Sequence, residues 1–198
     1  MRAFAVASLA ILMPLTMPAA APKDAKGEMP AATRLSLPGE KHKWLEPLVG
    51  DWDVEMLVYP GAGAAPVVSK EVSAKRFWTL DGRYLREELR GIVFGNKSAR
   101  DGVLGYNALD GRFEWVTVDT FEPGQMIYLG RGDETKSGFS VYGESTEAGF
   151  APEPTGRKRE LRFEFDIQGP DKNVQRIYAK FPGQPEFLFV EQRFTRKK

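Results

Sequence analysis

The stretch His42-Lys43-Trp44-Leu45-Glu46-Pro47-Leu48-Val49-Gly50-Asp51-Trp52 decides how this chain is read. Its first half carries apolar residues at helical spacing, with Trp44 and Leu48 four apart on one face. Pro47 keeps the helix short, about two turns ending before Gly50. Beyond Gly50 the period changes. Trp52, Val54, Met56 and Val58 point one way and Asp51, Asp53 and Glu55 the other, the alternation of a half-buried strand. These residues predict a short plug helix running into a long amphipathic strand, with Trp52 packed against the plug.

From there on, turn signals recur at short intervals. They are Tyr59-Pro60-Gly61-Ala62-Gly63, Asp81-Gly82, Asn96-Lys97, Asp110-Gly111, Glu122-Pro123-Gly124, Gly132-Asp133, Gly149 to Gly156, Gly169-Pro170-Asp171 and Pro182-Gly183-Gln184-Pro185. Between them lie runs rich in Val, Ile, Phe, Tyr, Trp and Thr, which suit a pleated surface. Alternation is clear again at Leu161, Phe163, Phe165 and Ile167, and at Phe113, Trp115, Thr117, Asp119 and Phe121. No helical pattern separates the strands. The expected fold class is all-β, a single antiparallel meander β-barrel of about ten strands with an N-terminal plug helix. Its inward residues either fill the lumen or line a small cavity.

The formal charge of the 198-residue chain is +1, with no basic excess that would mark a nucleic-acid surface. The N-terminus is different. Met1-Arg2, an apolar run from Ala3 to Met13, Pro14, Pro18 and Ala19-Ala20-Ala21 have the layout of a signal peptide over residues 1–21. The run is too short for a membrane span, which needs about 20 residues. Residues 22–34, rich in Ala, Pro and Lys, read as a mobile leader, and 35–198 as one domain. Cysteine is absent, so no lipoprotein attachment, thiol nucleophile or zinc–thiolate site exists. The expected location is outside the cytoplasm, in the periplasm.

Five segments taken together resemble a known bacterial family. They are His42 to Trp52, Leu80 to Glu88 (LDGRYLREE), Gly102 to Asn107 (GVLGYN), Phe113 to Asp119 (FEWVTVD) and Glu191 to Arg196 (EQRFTR). Their order and spacing over residues 40–197 resemble the family catalogued as domain of unknown function 1579. That resemblance implies a lipocalin-like (calycin) barrel and no established activity. Lipocalin-like proteins pair the first-strand Trp with an Arg of the last strand, so the resemblance implies a partner for Trp52 in Arg193 or Arg196. By it, Trp44, Gly50, Trp52 and Arg193 are fold-defining.

Candidate chemistry is sparse. His42, the sole histidine, is expected on the exposed side of the plug; alone it makes no metal site. Haem-binding barrels of the nitrobindin type use a late-strand histidine that this chain lacks, so no cofactor is expected. No Gly-x-Ser-x-Gly elbow and no phosphate loop with a following helix occur. The strand Gly82 to Phe94 has two mixed faces. One carries Tyr84, Arg86, Glu88 and Arg90; the other carries Leu85, Glu87, Leu89 and Val93. Were the first inward, Arg86 and Glu88 would be buried charges, which often mark sites. Asp119 shares a face with Trp115, and it either meets a ligand or caps the following loop. Tyr106, Tyr128 and Tyr142 offer phenols to the same wall.

The leading expectation is non-enzymatic binding of a small, largely apolar molecule in the lumen. Arg86, Glu88, Tyr106, Trp115, Asp119 and Tyr142 are the candidate wall residues; no catalytic residue, metal or nucleic-acid partner is expected. The alternative is a cell-envelope interaction module with a solid barrel, whose surface would carry a contiguous apolar patch. An enzyme has the least support.

Overall fold

A computed structural model describes residues 29–147 and 156–198. The expected signal peptide, and residues 22–28 of the expected leader, lie outside the described residues. Contacts divide the chain into two units, Met1–Arg34 and Leu35–Lys198. A short helix, α1, covers Ala31–Leu35.

The plug is smaller than its sequence predicts. Helix α2 spans only Glu40–Lys43, and a 3-10 turn follows at Glu46–Leu48, with Pro47 inside it. Proline has no N–H to donate, so it fits this first turn and blocks its extension. Leu45 and Leu48 are buried, and Trp44 packs half-buried beside them. His42 is not on an exposed side. It is buried, and its Nδ1 accepts the Gly39 N–H at 3.0 Å. Its ring meets Tyr106 edge-on.

Among the described residues ten strands follow: β1 Gly50–Val58, β2 Val67–Thr79, β3 Tyr84–Val93, β4 Asn96–Asn107, β5 Arg112–Asp119, β6 Met126–Gly130, β7 Gly138–Thr146, β8 Lys158–Ile167, β9 Lys172–Lys180 and β10 Phe187–Arg196. Each pairs antiparallel with its sequence neighbour, and β10 returns to β1, closing the barrel. Closure places Trp52 opposite Arg196 and Val58 opposite Val190. A closed sheet leaves no unpaired edge to recruit another chain.

The turn between β3 and β4 is one residue pair earlier than expected. Phe94 and Gly95 form it, both at positive φ (51° and 74°), and Asn96 already opens β4. A two-residue hairpin turn with positive φ at both positions matches the twist of its strands, but Phe94 adopts a conformation that non-glycine residues seldom take.

The plug half of the lumen is solid. Phe113, Phe139 and Phe165 stack at centroid distances of 4.3 and 4.6 Å, and Trp115 stands edge-on to Phe163 and Phe165. Gly102 faces Trp115 from β4, where any Cβ would overlap the indole.

Candidate functional site

The other half of the barrel is open. A cavity of about 440 Å³ lies inside it, away from the plug. That is within the usual size range of small-molecule sites, roughly 300–1,000 Å³. Its walls come from the inward positions of the strands: Met56 and Val58 of β1, Leu89 and Val93 of β3, Met126 and Tyr128 of β6, Leu161 and Phe163 of β8, Ile177 and Ala179 of β9. Its mouth is ringed by the loops at that end, including Pro60, Phe94, Phe121, Phe181 and Pro185. The polar side chains of the wall include Ser98, Arg100, Thr117 and Gln192.

Arg100 and Gln192 belong to a buried polar layer that forms part of the cavity floor. Glu87, on β3, is its centre. Its Oε2 accepts from Arg76 Nε at 2.8 Å, and its Oε1 accepts from Arg100 Nη2 at 2.6 Å and Nε at 3.1 Å. Arg76 reaches on to Asn173 Oδ1 at 2.9 Å. Arg100 Nη2 also reaches Gln192 Oε1 at 2.9 Å and Gln175 Oε1 at 3.2 Å. Strands β2, β3, β4, β9 and β10 thus meet through one carboxylate. Burial alone would raise the Glu87 carboxyl, but Arg100 and Arg76 outweigh it and hold it below the usual range. Arg76 lies 3.9 Å above the Phe194 ring, which adds a cation–π contact.

Two further ion pairs line the mouth. Arg159 bonds Glu122 and also Ser145 Oγ at 2.8 Å; Arg157 pairs with Glu147 at 3.0 Å. Burial raises the Glu122 carboxyl even against the pull of Arg159.

The structure scatters the residues singled out from sequence. Arg86 and Glu88 do not face the lumen. Their side chains are close to half exposed outside the barrel, where Arg86 approaches both Glu88 and Asp101 at 4.0 Å. The second face of β3 is the inward one, so the buried charge is Glu87. Asp119 does line the cavity mouth, and it also caps its loop: its Oδ1 accepts the Phe121 and Glu122 N–H groups at 2.7 and 2.8 Å. Trp115 is buried in the solid half. Tyr106 packs beside the plug against Phe113 at 5.1 Å. Tyr142 faces outward under the Arg131 guanidinium at 3.5 Å; of the three tyrosines, Tyr128 is the one on the cavity wall.

The partner of Trp52 is Arg196, not Arg193. The Arg196 guanidinium lies 4.3 Å from the indole centroid and donates to the carbonyls of Val49, Pro47 and Pro170 at 2.6, 3.0 and 2.6 Å. Trp52 Nε1 donates to Leu48 O at 3.0 Å. Gly50 completes the set, since a Cβ there would overlap Arg196 Nη1. Arg193 sits on the outside, paired with Glu191 and Glu55. The register explains the difference: Arg196, not Arg193, is opposite Trp52.

The residues missed from sequence are Arg76, Glu87, Arg100, Asn173, Gln175 and Gln192. Their signal is a polar residue inside an apolar alternation. Glu87 stands between Leu85 and Leu89, and Gln192 between Val190 and Phe194. Which such residues meet depends on register across the whole barrel.

Outside, Val103, Ile127 and Val118 are exposed at 39, 55 and 44%. Val103 and Ile127 flank Val116 in register, so they form an apolar row on the outer face of β4 to β6. Among the described residues, no helix is long and apolar enough to cross a membrane. Nor do three His, Asp or Glu side chains gather to hold a metal.

Comparison with known proteins adds family and fold. No curated protein matches the chain. The crystal structure of Rv2717c from M. tuberculosis is similar with a TM-score of 0.54, at 15% identity, over 81% of this chain and 99% of that one. At that identity the likeness is one of fold. A family model described as "Protein of unknown function (DUF1579)" matches residues 37–196. With the match running from the plug to the end of β10, the chain belongs to the DUF1579 family.

Proposed function

We infer that this protein binds one small, largely apolar molecule in the open half of its barrel. The observation that carries this reading is the cavity of about 440 Å³, walled by aliphatic and aromatic side chains with a few convergent polar groups. The solid half holds the sheet rigid beneath it, so the walls need little rearrangement to receive a ligand. The N-terminal sequence supports export: residues 1–21 read as a signal peptide, and the absence of cysteine suits a soluble periplasmic protein that needs no disulfide. The protein then acts outside the cytoplasm as a binder or carrier.

A neutral apolar fluorophore, N-phenyl-1-naphthylamine, tests the reading. Saturable, single-site fluorescence enhancement is expected. Ala179 is buried on the cavity wall, and Ala179→Trp is expected to fill the space and abolish that signal in a folded barrel. Binding that survives the filled cavity, or no saturable binding at all, overturns the reading. The outer apolar row of Val103, Val116 and Ile127 is the observation that favours the interaction module instead. Self-association that rises with concentration and is lost in Ile127→Lys, together with no fluorophore binding, would establish that alternative.

A further inference from the structure

The buried polar layer does not balance in charge. The layer sets two guanidinium groups, Arg76 and Arg100, against one carboxylate, Glu87, and all three are buried. Both Glu87 oxygens are engaged, one by each arginine. The other members, Asn173, Gln175 and Gln192, are neutral. Arginine does not surrender its proton in a protein, so the layer carries one positive charge without a buried counter-charge. A buried charge in that position is costly.

The hydrogen-bond inventory leans the same way. Two neutral members of the layer, Gln175 Nε2 and Asn173 Nδ2, have no acceptor among the described residues, although neither residue lines the cavity itself. Of the two arginines in the layer, Arg100 is the one that borders the cavity, and among the described residues its Nη1 has no acceptor. The other cavity arginines already have carboxylates: Arg159 has Glu122 and Arg157 has Glu147. Asp119 lies opposite Arg100 in register, but its Oδ1 is committed to the amides of its own turn and its side chain is partly exposed at the mouth. Water screens it there more than it screens the floor. Toward the mouth, beside the two closed ion pairs, Phe94, Phe121, Phe181 and Phe187 supply apolar wall.

We propose that the cavity takes an amphipathic carboxylate head first, with the carboxylate against Arg100 and the apolar tail toward the mouth. This rests on the reading that the lumen binds a ligand at all. The carboxylate supplies the missing negative charge and accepts from Arg100 Nη1; the aromatic ring of the mouth covers the tail.

Competition between decanoate and 1-decanol for bound N-phenyl-1-naphthylamine tests the proposal, at a pH where the acid is ionised. The two share a chain length and differ in the head. Decanoate is expected to displace the fluorophore about tenfold more potently, the effect of one charge-assisted hydrogen bond. In Arg100→Gln the advantage is expected to vanish while 1-decanol competes as before. The wild-type comparison decides the matter even where that variant does not fold. Equal potency of acid and alcohol, or displacement by neither from a protein that binds the fluorophore, overturns the carboxylate and leaves lumen binding standing. A protein that does not bind the fluorophore overturns both. As a second measurement, carboxyl-13C decanoate is expected to stay ionised in the complex to lower pH than free in solution. A bound carboxyl that titrates like the free acid, or protonates earlier, contradicts the pairing with Arg100.

Discussion

At the scale of single residues, Glu87 holds the buried polar layer together. Among the described residues it is the one carboxylate that two buried guanidinium groups share. Glu87→Gln keeps the shape and removes the charge, leaving Arg76 and Arg100 facing each other without compensation. Breaking a buried ion pair from one side costs about 3–5 kcal/mol, so the urea midpoint of Glu87→Gln should fall by a large fraction of the whole stability. Exposed Glu88 next to it is the control. Its side chain is 38% exposed, and Glu88→Gln should cost under ~1 kcal/mol. Only the inward residue of the two acids was legible as a choice between faces. Leu85, Leu89 and Val93 favour its face, yet a carboxylate among them reads against burial until its partners from β2 and β4 are known.

At the scale of elements, the plug and the barrel seam are held by one side chain from the last strand. Arg196 stacks on Trp52 and binds carbonyls of the 3-10 segment and of the β8–β9 turn. Arg196→Gln removes the stack and most of these bonds and should lower stability by about 2–4 kcal/mol, with hydrogen exchange rising first in Trp52 and its neighbours. Arg193→Gln, whose own side chain is half exposed and which leaves Glu191 still paired with Arg176, should cost under ~1 kcal/mol; an equal loss in both would refute the latch. The β3–β4 hairpin shows the opposite balance. Phe94 holds positive φ at a position that suits Asn, and its ring borders the cavity mouth. Strain of this kind persists where the side chain is needed. Phe94→Asn should therefore change the melting temperature little and weaken fluorophore binding severalfold. A tightly binding Phe94→Asn protein would show that the mouth ring does not touch the ligand. The hairpin itself was legible as a turn near Gly95. Its placement was not, because Asn96-Lys97 carries the usual turn residue while Phe94-Gly95 carries the one that faces the lumen.

At the scale of the whole molecule, stability should fall on acidification through two buried groups, His42 and Glu87, opposed by Glu122, whose raised carboxyl recovers stability as it protonates. Burial lowers the His42 imidazole from its ordinary 6.5. As pH falls through that value, the unfolded chain takes up a proton that the folded chain resists, so stability is full above it and declines below. Protonation would also break the bond that His42 Nδ1 accepts from Gly39. At lower pH, Glu87 acts in the same direction. Its carboxyl is held below the ordinary value when folded, so its contribution is lost as pH falls through that depressed value. The melting temperature should drop in two stages on acidification, and His42→Gln, which keeps an acceptor for Gly39, should flatten the upper one, between about pH 7 and pH 5. An unchanged slope in His42→Gln would place the upper stage elsewhere. The architecture needed no tertiary knowledge. Period-two alternation in β1, β5 and β8, turn residues between the strands, and a short apolar helix before Gly50 and Trp52 point to an antiparallel meander, because local pattern and local pairing are the same information in neighbouring hairpins. What only the tertiary structure decided is which residues meet across the lumen. Arg76, Glu87, Arg100, Asn173, Gln175 and Gln192 come from five strands as far apart in sequence as β2 and β10, and the closing register that brings them together is a property of the whole ring. The same closure left one half of the barrel filled by Trp115 and the phenylalanines and the other half open, a difference in side-chain volume against a fixed circumference that no single strand records.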